Sequence, residues 1–173
     1  MNRRIALVIV ISLTVLAAAP VAAGAQARAA SFPTVSFSAR TAAGGFNGRF
    51  EIRRFRVRPP GLAVFGRLSG RLRDNRFPSA QRVRNRPFSF AVTLAPVIGA
   101  PTCARLAVVF AARTAPLIGL AATFAPRTVV LRPRRGTGPS TGELLCGASA
   151  AVAANAPPTV TVHLLNALRL QYA

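Results

Sequence analysis

Between Phe46 and Leu72 apolar side chains recur at alternate positions, and arginine fills many of the positions between them. Leu62, Val64, Leu68 and Leu72 share one parity, while Arg67, Ser69, Arg71 and Arg73 share the other. Only an extended chain turns alternate residues to opposite faces, so this stretch is committed to β-structure with one face in water. Gly66, Gly70 and the β-branched and aromatic content weigh against a helix. Upstream, Phe50 and Ile52 lie on one parity and Phe55 and Val57 on the other, the phase shift that a β-bulge at Arg53-Arg54 would produce. Pro59-Pro60-Gly61 closes the strand, with Pro60 and Gly61 suited to the centre of a type II turn. Residues 46–72 are thus expected to form a hairpin with an arginine-bearing outer face.

The pattern extends in both directions. Val35 and Phe37 alternate with Ser36 and Ser38 in a short strand that Gly44 and Gly45 end. Residues 73–87 hold Arg73, Arg76, Arg82, Arg84 and Arg86 and read as a loop, part of which joins the next strand at Val83. Phe88, Phe90, Val92 and Leu94 alternate up to Pro96. Cys103 opens "CARLAVVFA", apolar on both faces as a central strand is. One or two more strands fit residues 114–136, with Val129 and Leu131 inward. From Gly138 the alternation stops. Ser140 and Glu143 have capping-box spacing and predict a helix over about 141–154. A second short helix follows Pro157-Pro158 and carries Val160, Leu164 and Leu168. The expected fold is mainly β (α+β): an antiparallel sheet, as a sandwich or partial barrel, with one or two C-terminal helices.

The N-terminus reads as a targeting segment. Arg3 and Arg4 form a positive start, and Ile5 to Ala19 is an unbroken run of apolar and small residues. Pro20 and the small residues of "VAAGAQA" supply a cleavage site after Ala27, or after Ala25. An uncleaved anchor is disfavoured because the run falls short of the roughly 20 residues of a span. The expected organisation is a signal peptide over 1–27, a linker over 28–33 and one domain over 34–173. The protein is then secreted, either extracellular or in the cell envelope, with no transmembrane span after processing. In an oxidising compartment Cys103 and Cys146 read first as a disulfide, with two buried thiols as the alternative. A metal site is not expected, with one histidine and no C-x-x-C.

The charge is extreme: a formal +20, with 23 basic residues against Glu51, Asp74 and Glu143. All 23 are arginine. Removing residues 1–27 takes away Arg3 and Arg4 and leaves +18. Nucleotide bias in a GC-rich genome enriches Ala, Arg, Gly and Pro together, and this chain is rich in all four. Selection for anion binding gives the same charge but does not predict the alanines.

The groups that move protons, attack or hold metals are few. His163 lies on the second helix, Glu51 sits among arginines as an ionised partner of Arg49 or Arg53, Asp74 forms a turn and Glu143 caps a helix. No carboxylate pair, serine elbow, P-loop or H-E-x-x-H is present, so neither an enzyme nor a cofactor is expected. The candidate anion-binding residues are Arg56, Arg58, Arg67, Arg71 and Arg73 on one sheet face, continued by Arg76, Arg82, Arg84 and Arg86. Guanidinium forks suit phosphate and carboxylate. No nucleic-acid motif appears and base-stacking aromatics are scarce, so the expected partner is an anionic cell-wall polymer or lipid surface rather than specific nucleic acid.

The segments "FNGRFEIRRFRVRPPGLAVFGRLSGRL", "CARLAVVF", "APLIGLAATFAPRTVVLRP", "GTGPSTGELLCGASAAV" and "HLLNAL" follow one another in this order. The order resembles a family of small secreted proteins common in actinobacteria, with F-x-G-x-F-x-I-x-x-F, G-x-L-x-x-x-G-x-L-x-G, a cysteine strand and a G-N-L-L-C helix. Here that helix motif stands as Gly142, Glu143, Leu144, Leu145 and Cys146. The resemblance implies export, a β-rich body and paired cysteines, and it implies no activity. Relatives carry Thr, Gln and Asn where this chain has arginine, and aspartates where it reads "TAPLIGLAATFAP". The expected role is therefore non-enzymatic, structural or in interaction. Binding of a polyanion through the arginine face, or carriage of an apolar ligand in the sheet, are the two alternatives.

Overall fold

A computed structural model describes residues 32–97, 103, 105–133 and 139–171. The expected signal segment, its cleavage site and residues 28–31 lie outside the described residues. The order is β1 (Thr34–Thr41), β2 (Gly44–Arg58), β3 (Gly61–Asp74), β4 (Gln81–Pro96), β5 (Leu106–Phe110), β6 (Arg113–Leu117), β7 (Leu120–Phe124), β8 (Arg127–Leu131), α1 (Pro139–Ala153) and α2 (Pro158–Gln171). The eight strands form one antiparallel sheet in the order β6-β7-β1-β2-β3-β4-β5-β8. The mainly β class with C-terminal helices is as the sequence predicts.

The sheet rolls up. β7 and β4 are four steps apart in strand order, which in a flat sheet is about 19 Å at roughly 4.8 Å per step. Yet the Phe124 ring on β7 lies 5.1 Å from Phe88 and 5.5 Å from Phe90 on β4. Phe37 on β1 likewise meets Phe110 on β5 at 5.3 Å and stacks on Phe90 at 4.6 Å with an 8° interplanar angle. The result is a partial barrel filled by phenyl rings, with Phe46, Phe50, Phe55, Phe90, Phe110 and Phe124 fully buried.

Glycines and bulges allow this curvature. Gly48 pairs with Gly70 across β2 and β3, and a Cβ on Gly70 would stand 2.7 Å from the Phe46 ring. The ring occupies the place of the missing side chain, which lets the strands coil there. The β2 register shifts between Ile52 and Arg54, at the bulge the sequence predicts. A second shift, between Leu68 and Gly70 on β3, places Arg84 and Asn85 opposite Ser69. Asn85 takes φ 46°, and the Ser69 hydroxyl accepts from its N–H at 2.9 Å and donates to its side-chain carbonyl at 3.2 Å.

Several local expectations are corrected. The β2–β3 turn is centred on Pro59 and Pro60, joined by a cis peptide bond, and Gly61 instead pairs with Arg58 without positive φ. Gly44 and Gly45 open β2, with Ala42-Ala43 as the turn. The strand after Cys103 starts only at Leu106. Three strands, not one or two, follow it. β6 and β7 are joined by Ile118 (φ 50°) and Gly119 (φ 75°), whose paired left-handed angles match the twist of a tight hairpin. Ser140 is already helical and its hydroxyl donates to Gln171 Oε1 at 3.2 Å, so it is not a cap. The buried stripe of α2 is Thr161, Leu165 and Leu168: Leu168 is buried as expected, but Thr161 and Leu165 take the places expected of Val160, which is 45% exposed, and Leu164. Phe32, assigned to the linker, packs 6.1 Å from the Phe55 ring and belongs to the core.

The helices dock where β2 runs past β1, whose last partner is Glu51. The Asn166 amide of α2 accepts from the Phe55 N–H at 2.9 Å and donates to the Phe55 carbonyl at 3.0 Å, as a neighbouring strand would. Leu145 and Ala148 of α1 and Leu165 and Leu168 of α2 complete the core. Cys103 and Cys146 are joined in a disulfide with Cα atoms 4.8 Å apart, tying α1 to the chain ahead of β5. In the loop-entropy treatment a bridge spanning 43 residues stabilises by about 4 kcal/mol. Urea unfolding of Cys103→Ser/Cys146→Ser is expected to show a loss of that order, matched by the wild type under full reduction.

Candidate anion-binding surface

Pairing register decides which arginines meet. Arg71 on β3 lies directly opposite Arg82 on β4, and both are exposed. Arg49, which pairs with Ser69, and Arg84, at the Asn85 bulge, line the same groove of about 480 Å³. No carboxylate lines it. The floor is the glycine-rich bend at Gly48 and Gly70, so the curvature that the core requires also hollows the outer face.

A second groove, of about 580 Å³, follows the seam where β6 approaches β4 without pairing to it in a ladder. Arg53, Arg54, Arg67, Arg86 and Arg113 line it, with Phe65 and Phe88 between them. Arg54 and Arg56 both stand over the Phe65 ring, at 5.5 and 5.7 Å, and Arg113 over Phe88 at 4.8 Å, geometries in which ring faces attract cations. Arg113 also donates to the Ser89 carbonyl and, at 2.9 Å, to the Ser89 hydroxyl. Burial, with repulsion from Arg58 second, lowers the Arg113 guanidinium from its ordinary value.

Two of the three acids, Glu51 and Asp74, are already engaged. Glu51 pairs with Arg53 at 2.9 Å. The Asp74 side chain is fully buried, and it accepts from Arg76 Nε at 2.9 Å, from the Arg76 N–H at 3.2 Å and from the Thr41 hydroxyl at 2.5 Å. It is thus more than the expected turn former: it locks the β1–β2 turn to the β3–β4 loop. The Arg76 and Thr41 hydrogen bonds outweigh its desolvation and hold its carboxyl well below the usual carboxylate range.

The nine candidate arginines therefore do not make one stripe. Arg71, Arg82 and Arg84 share the first groove, Arg67 and Arg86 the second. Arg73 flanks a neighbouring depression beside Asp74, and Arg56 leans on Phe65. Arg58 stands at the hairpin end near Arg113. Arg76 is held by Asp74. Sequence reasoning missed Arg49, Arg53, Arg54 and Arg113 as groove residues. Arg49, Arg53 and Arg54 carried a signal, since they sit in the same dense run as Arg56 and Arg58.

Two outcomes are expected. Like charges directly opposite on a sheet destabilise by about 0.2–1 kcal/mol, so Arg82→Gln should raise the urea midpoint, more at low salt than at high. Because folding depresses the Asp74 pKa, its contribution is present above about pH 4 and is lost as pH falls. The stability gap between wild type and Asp74→Asn should therefore shrink from pH 6 towards pH 2 in a series of melting curves. No protein-family model, curated protein or solved structure matches the chain.

Proposed function

We propose that this is an exported, non-enzymatic interaction protein that binds an anionic polymer or surface through the arginine-lined outer face of β2, β3 and β4. The observation that carries the reading is the first groove. Four arginines converge there, two of them directly opposite each other, with no acid among the lining residues. Such an arrangement is self-repulsive until an anion neutralises it. Arginine forks, unlike ammonium groups, grip phosphate and carboxylate oxygens in pairs. Export is supported by the signal-like N-terminus and by the disulfide, which oxidising compartments sustain. Carriage of a ligand inside the sheet is the weaker reading, because Phe37, Phe50, Phe90, Phe110 and Phe124 fill that space in mutual contact.

The test is a salt series on the exported, oxidised protein with poly(glycerol phosphate), phosphatidylglycerol vesicles and duplex DNA. A cationic protein attracts all three at low salt, so the informative range is physiological and above. Binding to one of them should survive about 150 mM salt, and each groove arginine changed to serine should flatten the salt slope by roughly one. Replacing Arg49, Arg71, Arg82 and Arg84 together should abolish the preference. Equal binding to all three that disappears by about 150 mM salt, unchanged in the variant, would sink the proposal.

A further inference from the structure

A third groove, of about 640 Å³, differs in kind from the two arginine grooves. It lies between the β2–β3 turn at Pro59-Pro60 and the β5–β6 connection at Ala111-Ala112, over Ala91 and Val109. Its walls are apolar apart from Thr93 and two cations, Arg58 and Arg113, and no acid lines it. None of Arg49, Arg71, Arg82 and Arg84 reaches it. Its volume falls within the roughly 300–1,000 Å³ of small-molecule sites.

Apolar walls give no advantage to a fully hydrated polyanion, and two clustered guanidiniums give none to a neutral hydrocarbon. The combination suits a ligand with both parts. We propose that this groove binds a single-chain anionic amphiphile, a fatty carboxylate, with the alkyl chain against Ala91 and Val109 and the headgroup held by Arg58 and Arg113. The Arg113 contacts to Ser89 come from one terminal nitrogen, so its other N–H groups are able to meet a carboxylate. An anion between Arg58 and Arg113 relieves their mutual repulsion and offsets by pairing the cost of burying the Arg113 guanidinium. The inference goes beyond polyanion binding, since it concerns different residues and a different class of ligand.

The experiment titrates the exported, oxidised protein with dodecanoate below its micelle concentration, read by displacement of fluorescent cis-parinarate, with dodecanol as the uncharged counterpart. Saturable binding at one site is expected, with dodecanol at least about tenfold weaker, a difference of about 1.4 kcal/mol. Ala91→Phe, which fills the groove from an exposed position, should remove binding while leaving poly(glycerol phosphate) binding intact. Arg58→Gln, a surface change at the hairpin end, should weaken dodecanoate about fivefold and dodecanol not at all. It carries the test if Ala91→Phe does not fold. Absence of saturable binding, equal affinity for acid and alcohol, or indifference to both substitutions would overturn the proposal. So would a concentration-dependent dimer that excludes the probe, since a second copy would then own the groove. Failure of the polyanion reading shows instead in the variant lacking Arg49, Arg71, Arg82 and Arg84, which leaves this groove intact.

Discussion

The stacked pair of Phe37 and Phe90 is the contact on which the rest of the structure depends. The two rings come from β1 and β4, three steps apart in the sheet, and they touch only because the sheet rolls. Phe50, Phe110 and Phe124 then meet this pair edge to face, in the T-shaped geometry that ring quadrupoles favour. Rolling long strands that far requires places with no side chain and places where register slips. Gly48, Gly66 and Gly70 supply the first; the bulges at Arg53 and at Asn85 supply the second. The concave side of each bend holds a phenyl ring and the convex side an arginine. Interior packing and exterior charge spacing are thus two consequences of one curvature.

The arginines of β2, β3 and β4 are compatible with this fold because the sheet keeps them on its outer side. Arginine recurs at the outward positions of β2, β3 and β4, where water screens it and long aliphatic stems cover the backbone. Two places depart from that rule. Asp74 is buried, but it is fully partnered and draws Arg76 into the structure. Arg113 is half-buried at the seam, partnered by Ser89 and by the face of Phe88. Among the described residues no buried side-chain donor or acceptor lacks a partner. The cost of the charge therefore falls on repulsion between arginines, as where register sets Arg71 against Arg82 and where Arg58 stands near Arg113.

The legible parts of the sequence were those where an apolar residue marked the phase. The β2–β3 hairpin, the alternation of Phe88, Phe90 and Val92, and the bulge at Arg53-Arg54 all show as parity in apolar positions. The second bulge lies between Arg82 and Arg86, where one valine stands among polar residues and no apolar neighbour records the slip. β6, β7 and β8 are five residues each, with Pro116 inside β6 and Pro126 between β7 and β8, too short to display a period clearly. The α2 stripe was misplaced because Thr161 reads as polar in sequence but is buried in the structure. For the surface, sequence named most of the arginines and grouped them wrongly. Grouping depends on cross-strand register, and the hidden bulge shifts that register just where Arg82 and Arg84 join Arg49 and Arg71.

Incomplete closure of the barrel accounts for the remaining surface. After β5, which pairs with β4, the chain turns into β6, which reaches β4 through Arg113 without making a ladder with it. The Ser89 carbonyl is turned towards β6, where the Arg113 side chain takes it, so Pro87, two residues away, faces the same way without an N–H to give. Pro116 on β6 precedes the pair that closes the tight hairpin and likewise points its missing donor away from β7. A proline on each side keeps the seam from zipping and blunts two edges that would otherwise template pairing with another chain. Arg113 spans the gap in place of a backbone bond. It consequently borders both the arginine-lined seam and the apolar groove, and a charge that repairs the seam becomes the one residue that lines both grooves.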